Sequence, residues 1–227
     1  MIEVSRLLVS EKLENKDLRH RRREGSAPVV VWCTTRKCNL NCMHCYSGGN
    51  AATDGELSTD EAKKIIDELA ECGSPFMILS GGEPFLRADV FELGGYAREI
   101  GLPVIVSSNG TVVTREIAAK AADAGFGYVG ISLDGLAETN NSFRGSGDAY
   151  NNALQGMRNL RDAGVKTGLR FTITRLNCRE LPQIMDLLVK EGFHRLCVYH
   201  LEYAGRGREL MNNDLSPDER RKAVENL

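Results

Sequence analysis

Three cysteines in one short run carry the densest chemistry in this sequence. In CTTRKCNLNCMHCYSGG, residues 33–49, Cys38, Cys42 and Cys45 stand at C-x3-C-x2-C spacing. Three thiolates so close together suit a soft metal. A structural zinc site wants four closed ligands, and the fourth would come from Cys33 or His44. A four-iron cluster normally takes four thiolates, so three would leave one iron open to a ligand that is not protein. Cys33 is a poor fourth ligand because it lies inside an apolar strand, five residues before Cys38. His44 stands between Cys42 and Cys45 and cannot easily point the same way as both.

The elements that must position these thiols follow a regular pattern. The chain has 227 residues, 42% of them apolar, which is enough for one domain with a substantial core. Its formal net charge of −2 argues against a general nucleic-acid binder. No apolar run approaches membrane-spanning length. The start, MIEVSRLLVSEKLENKD, is charged throughout and carries no apolar signal region. Seven cysteines, an odd number and clustered, point to a reducing cytoplasm rather than to a disulfide framework.

Short β-branched stretches then alternate with helical patterns. Strands are expected at 29–34, 76–80, 103–108, 128–133, 167–174 and 195–201, and helices at 58–72, 90–100, 114–124, 150–163 and 181–190. Ser58 and Glu61 form a capping box at the first helix. Gly73, Gly101, Gly125, Gly164 and Gly192 each follow a helix, where a terminating glycine belongs. Six strand–helix units ask for a parallel sheet. Closing eight takes about 250 residues, so the fold class is α/β, a partial (β/α)6 TIM-like barrel. The expected organisation is an N-terminal segment over 1–28, the barrel over 29–210, and over 211–227 the start of a C-terminal extension that is cut short. The basic run at Arg19–Glu24 reads as a solvated segment before the barrel. Cys38, Cys42 and Cys45 fall just after the first strand, on the face where parallel α/β folds build their sites.

The C-x3-C-x2-C motif in that place, with the ring of His44 before the third cysteine, resembles the radical S-adenosylmethionine (SAM) superfamily. The resemblance implies that the three cysteines hold a [4Fe-4S] cluster whose open iron takes the amino and carboxylate groups of SAM, with His44 counted on the cofactor side. SGGEPFL at Ser80–Leu86 matches the family's GGEP motif. There Gly81 and Gly82 would let backbone approach the ligand, and Glu83 would accept from the methionine ammonium. SSNGT at 107–111 and ISLDG at 131–135 resemble the SPASM/twitch-type branch, whose members carry auxiliary clusters in a C-terminal region. Asn109, Ser132 and Asp134 are candidates for the ribose or the methionine carboxylate, and Arg144 for the carboxylate. Each of these fits a turn or capping role equally well. Cys72, Cys178 and Cys197 read as small buried hydrophobes, not as ligands of a second cluster.

Finer resemblance lies in MIEVSRLL, PVVVW, CMHCYSGG and VYHLEYAGRGREL (198–210), which look like the tetrapyrrole-modifying AhbC/NirJ group. The chain departs from it at Cys33, where these relatives often carry asparagine. The resemblance implies an iron tetrapyrrole substrate, 12,18-didecarboxysirohaem, losing two acetates to give iron-coproporphyrin III in an alternative haem pathway, with an electron donor of ferredoxin or flavodoxin type. Arg206 and Arg208 are candidates for the substrate's carboxylates, Tyr203 lies near the same face, and His200 is a candidate axial ligand to the substrate's iron. Solvated loop charge and an ordinary strand histidine stand as alternatives. Other readings are a haem d1 enzyme, a radical peptide or protein maturase, and a zinc or iron–sulfur module that is not an enzyme.

Overall fold

The computed structural model describes residues 2–3, 27–48 and 55–225. The expected solvated run at 19–24 lies outside the described residues. Seven strands form one sheet: β1 (Ile2–Glu3), β2 (Val30–Thr35), β3 (Met77–Gly81), β4 (Val104–Ser108), β5 (Tyr128–Ser132), β6 (Thr167–Ile173) and β7 (Leu196–His200). Their order is β1-β7-β6-β5-β4-β3-β2. From β2 to β7 every neighbouring pair is parallel and consecutive in sequence. β2 and β7 do not meet, so the barrel is open, as six units in this length require. β1 pairs antiparallel with β7, Ile2 opposite Val198, an edge strand not expected from the residue pattern.

The helices are α1 (Thr59–Glu71), α2 (Val90–Glu99), α3 (Arg115–Asp123), α4 (Ala137–Arg144), α5 (Ala149–Asp162), α6 (Leu181–Glu191) and α7 (Pro217–Glu225). The Ser58–Glu61 capping box forms as expected, and Thr114 caps α3 by accepting from the Ile117 N–H at 3.2 Å. Alternate strand residues such as Met77, Leu79, Val106, Val129, Ile131, Leu169 and Phe171 are buried against Ile66, Leu93, Ala97, Met157, Leu160 and Ile184 of the helices. This single core lies between sheet and helix layer and fixes the register of each strand. The pleat therefore turns the intervening residues, among them Ser107, Gly130, Ser132, Arg170, Thr172 and Tyr199, to the inside of the curve. Besides β1, two features depart from the expected pattern: α4, which is short and polar, and a 3-10 stretch over Gly205–Asn213 that follows β7.

Candidate active site

The cysteine loop leaves β2 at Thr35 and is tied down from three sides. From β3, Gly82 N–H donates to Thr35 O at 2.7 Å and Glu83 N–H to Lys37 O at 2.8 Å. A Cβ on Gly82 would stand 2.7 Å from the Lys37 carbonyl carbon. These glycines thus let the strand end lie against the loop backbone, and both also line the cavity described next. From α4, Met43 N–H donates to Phe143 O at 2.8 Å. From the segment after β7, Arg206 N–H donates to Cys45 O at 3.0 Å and its Nε to Cys42 O at 2.8 Å.

Cys38, Cys42 and Cys45 all line a cavity of about 310 Å³ at the C-terminal ends of the strands. Each sulfur has a polar neighbour: Asn109 Nδ2 lies 4.0 Å from Cys38 Sγ, Arg144 Nη1 3.7 Å from Cys42 Sγ, and Ser47 Oγ 3.3 Å from Cys45 Sγ. Donors placed on sulfur are what thiolate ligands need, because they spread the negative charge. Burial pushes the Cys38 thiol above its ordinary pKa. Among the described residues no three His, Cys, Asp or Glu side chains converge on a single metal-ion position. Cys33 is exposed in β2 and does not line the cavity.

Behind the loop is a buried charge network. Asp134 is fully buried and pairs with Arg144, lies 3.3 Å from His44 Nε2, and accepts from the Thr172 N–H at 2.7 Å. Its carboxylate is spent on the protein, so the expected contact with ribose or methionine is replaced by one with Arg144. The charge of Asp134 and the contact with Cys42 hold Arg144 above its ordinary pKa against desolvation. Burial lowers the pKa of His44, with Asp134 opposing. Arg144 Nε and His44 Nδ1 are buried without a partner among the described residues, and both residues line the cavity. Such orphans fit a site whose ligand completes them.

Glu83 is likewise fully buried, outside the cavity lining. It accepts from Ser108 Oγ at 2.8 Å, Asn109 N–H at 2.7 Å and Phe85 N–H at 3.2 Å. Burial nevertheless raises its pKa to about 7. A carboxylate expected to meet an ammonium is here the tie between the strand ends of β3 and β4. Asn109 lines the cavity, but its Oδ1 takes the N–H and hydroxyl of Thr111, as a turn residue does.

Gly81, Ser132, His200 and Arg206 also line the cavity, whereas Tyr203 and Arg208 do not. Tyr203 is half exposed and bonds Asp214; the Nε of Arg208 donates to Tyr203 O at 3.1 Å. In the structure these two make ties within the segment after β7. Burial lowers the pKa of His200. Cys72 is exposed at the end of α1, not buried; Cys197 is buried in β7. Further wall residues are Tyr46, whose hydroxyl is 3.0 Å from Ser80 Oγ, with Ser107, Arg170, Thr172, Tyr199 and Glu202. Strand alternation alone would have placed the last strand residues on the inside.

A thiol triad at the mouth of an open β/α barrel, with strand-end motifs around it, defines the class. The profile of the Radical SAM superfamily matches residues 32–188, and the chain belongs to that family. It is 51% identical over 199 residues to the Fe-coproporphyrin III synthase of Methanosarcina barkeri, covering 87% of this chain and 50% of that protein. It is 42% identical over 201 residues to the pre-heme d1 synthase of Dinoroseobacter shibae, covering 88% and 50%. The chain thus spans about half the length of the curated relatives it matches. Streptococcus suis SuiB, solved with its precursor peptide SuiA, shares the fold at a TM-score of 0.76 and 15% identity, covering 87% of this chain and 44% of that one.

Proposed function

We propose that this chain forms the radical-generating barrel of an enzyme that removes acetate side chains from 12,18-didecarboxysirohaem, giving iron-coproporphyrin III. The observation that carries the substrate is the 51% identity with an Fe-coproporphyrin III synthase along most of the chain. The cofactor is supported by the three sulfurs, each beside a polar hydrogen-bonding group, on one cavity wall. Cys38, Cys42 and Cys45 would hold a [4Fe-4S] cluster. When bound, that cluster supplies the electron that cleaves SAM to methionine and a 5′-deoxyadenosyl radical.

The protein's part is placement and exclusion of water. Ser107, Ser132 and Thr172 line the space where SAM would lie, and so do Arg144 and His44, whose Nε and Nδ1 are buried without a partner among the described residues. Asp134 keeps Arg144 in place beside Cys42. His200 on the wall is the candidate for the substrate's iron.

The test is turnover by the full-length protein after anaerobic reconstitution, with didecarboxysirohaem and SAM. Loss of two acetates by mass is expected. Replacing Cys38, Cys42 or Cys45 by alanine should abolish cluster content and SAM cleavage, whereas Cys72→Ala and Cys178→Ala should leave both intact. The 42% identity to a pre-heme d1 synthase favours a second reading, in which the products are those of haem d1 formation. Propionate loss, with both acetates retained, would select it.

A further inference from the structure

Arg170 stands in β6, and its side chain enters the cysteine-lined cavity. Its guanidinium lies 4.3 Å over the Tyr199 ring of β7. Gly130 on β5 makes the room: a Cβ there would stand 2.7 Å from Arg170 Cδ. A bulky cation has thus been given a slot inside the barrel and a flat surface to lie on.

No acidic side chain among the described residues pairs with it. Asp134 is engaged by Arg144, His44 and the Thr172 N–H. Glu83 is closed off by Ser108, Asn109 and Phe85. Glu202, on the cavity wall, is exposed and forms no ion pair among the described residues. The other two arginines of the cavity are committed, Arg144 to Asp134 and Arg206 to Cys42 O. Arg170 is the cavity arginine with no ion pair or backbone acceptor among the described residues, its guanidinium resting on Tyr199. Stacking on an aromatic ring fixes the plane of a guanidinium, and a fixed plane suits two-point recognition of a carboxylate.

We propose that Arg170, held flat against Tyr199, binds a carboxylate of the substrate inside the barrel. This rests on the tetrapyrrole reading, whose substrate carries acetates and propionates, and it names the residue that takes one of them. Arg206 and Arg208, the arginines expected in that role from the sequence, are replaced in it by Arg170.

The test titrates the full-length protein with didecarboxysirohaem and with its fully methyl-esterified form, following the Soret band, in wild type, Arg170→Met and Arg170→Lys. The wild type is expected to prefer the free acid by roughly ten-fold or more, the worth of one charge-assisted pair. Arg170→Met should lose that preference and Arg170→Lys recover it in part. Cluster absorbance and SAM affinity should stay at wild-type values in both. An Arg170→Met protein that keeps the preference overturns the proposal. One that loses SAM affinity, with tetrapyrrole binding intact, overturns it in favour of the methionine carboxylate. If the wild type binds neither tetrapyrrole form, the tetrapyrrole reading falls, and Arg170 is judged by a second probe. Succinate should then slow the reaction of Arg170 with an arginine-selective dicarbonyl, followed by mass. An unchanged rate overturns the site.

Discussion

Asp134 and Glu83 are the two carboxylates that the barrel buries completely beside its thiols, and they do different work. Asp134 faces Arg144, a cation that has no other acidic partner among the described residues. Removing one member of a buried pair leaves the other charge uncompensated, at a cost of roughly 3–5 kcal/mol. Asp134→Asn is therefore expected to lower the unfolding free energy by about 3 kcal/mol in urea titrations, and to speed loss of the cluster to a chelator. An unchanged midpoint would mean that the pair is not what holds Arg144. Glu83 has three hydrogen bonds but no cation among them, and burial dominates. Its pKa of about 7 lies above the ordinary 4.5, so the native state binds the extra proton between those values. The stability it contributes is full below about pH 4.5 and is lost as pH rises through 7. Glutamine does not titrate. The difference in stability between wild type and Glu83→Gln should thus fall by roughly 3 kcal/mol from pH 4 to pH 8, and a flat difference would refute the raised pKa. At this scale the thiols were legible because their spacing is local. Asp134 and Arg144 were named in the sequence without their partners, because a salt bridge between residues 134 and 144, like the stack between 170 and 199, is decided only once strands are in register.

Helices and strands were largely legible, because each unit repeats the same pattern of apolar periodicity and terminal glycine. The misses have physical reasons. AETNNSFR of α4 has only Ala137 and Phe143 as apolar residues, and its stability comes from its contacts. They include Asn140, whose Oδ1 accepts from the Asp134 N–H at 2.9 Å. Nor does sequence say which of two adjacent glycines matters. In α2 a Cβ on Gly94 would meet the Phe126 ring, with Cζ 2.8 Å away, whereas one on Gly95 meets nothing within 4 Å. Gly95→Ala is expected to raise stability by about 0.5–1 kcal/mol through helix propensity. Gly94→Ala should instead lower it by about 1–3 kcal/mol through overpacking. Thermal unfolding of both variants checks the pair, and equal shifts would contradict the packing of α2 on Phe126. The stretch AGRG after β7 works in the same way. Gly205 has φ +52, and a Cβ there would stand 2.8 Å from Tyr46 O; one on Gly207 would stand 2.7 Å from His44 O. Both let the segment lie against the cysteine loop so that Arg206 reaches Cys42 O. Gly207→Ala is therefore expected to raise the alkylation rate of the Cys42 and Cys45 thiols in the metal-free protein several-fold. Unchanged rates would free the segment from this role.

The whole molecule gathers its site from every strand end. The cysteine loop follows β2, Glu83 follows β3, Asn109 follows β4, Asp134 follows β5, Thr172 and Arg170 lie in β6, and Tyr199 and His200 close β7. The ties that hold the cavity run between elements distant in sequence, such as Arg206 to Cys42 and Glu83 to Asn109. A ligand bound there touches the ends of all six parallel strands and none of the helix-facing core. Its binding free energy should then appear in the global unfolding transition, not in the melting of one loop. A ligand that binds only the native state adds about 2.7 kcal/mol at a concentration of 100 Kd. For a chain of this size each kcal/mol moves the midpoint by roughly 2–4 °C. SAM at that excess should raise the Tm of the cluster-loaded protein by roughly 5–10 °C as a single transition, and chelation of the iron should remove the gain. Calorimetry separates the outcomes. One transition that shifts as a whole supports a site built from the entire sheet. A shift confined to a minor early transition would mean that the cysteine loop and the segment over it melt apart from the barrel, and the ties from α4, β3 and Arg206 would then be too weak to couple them.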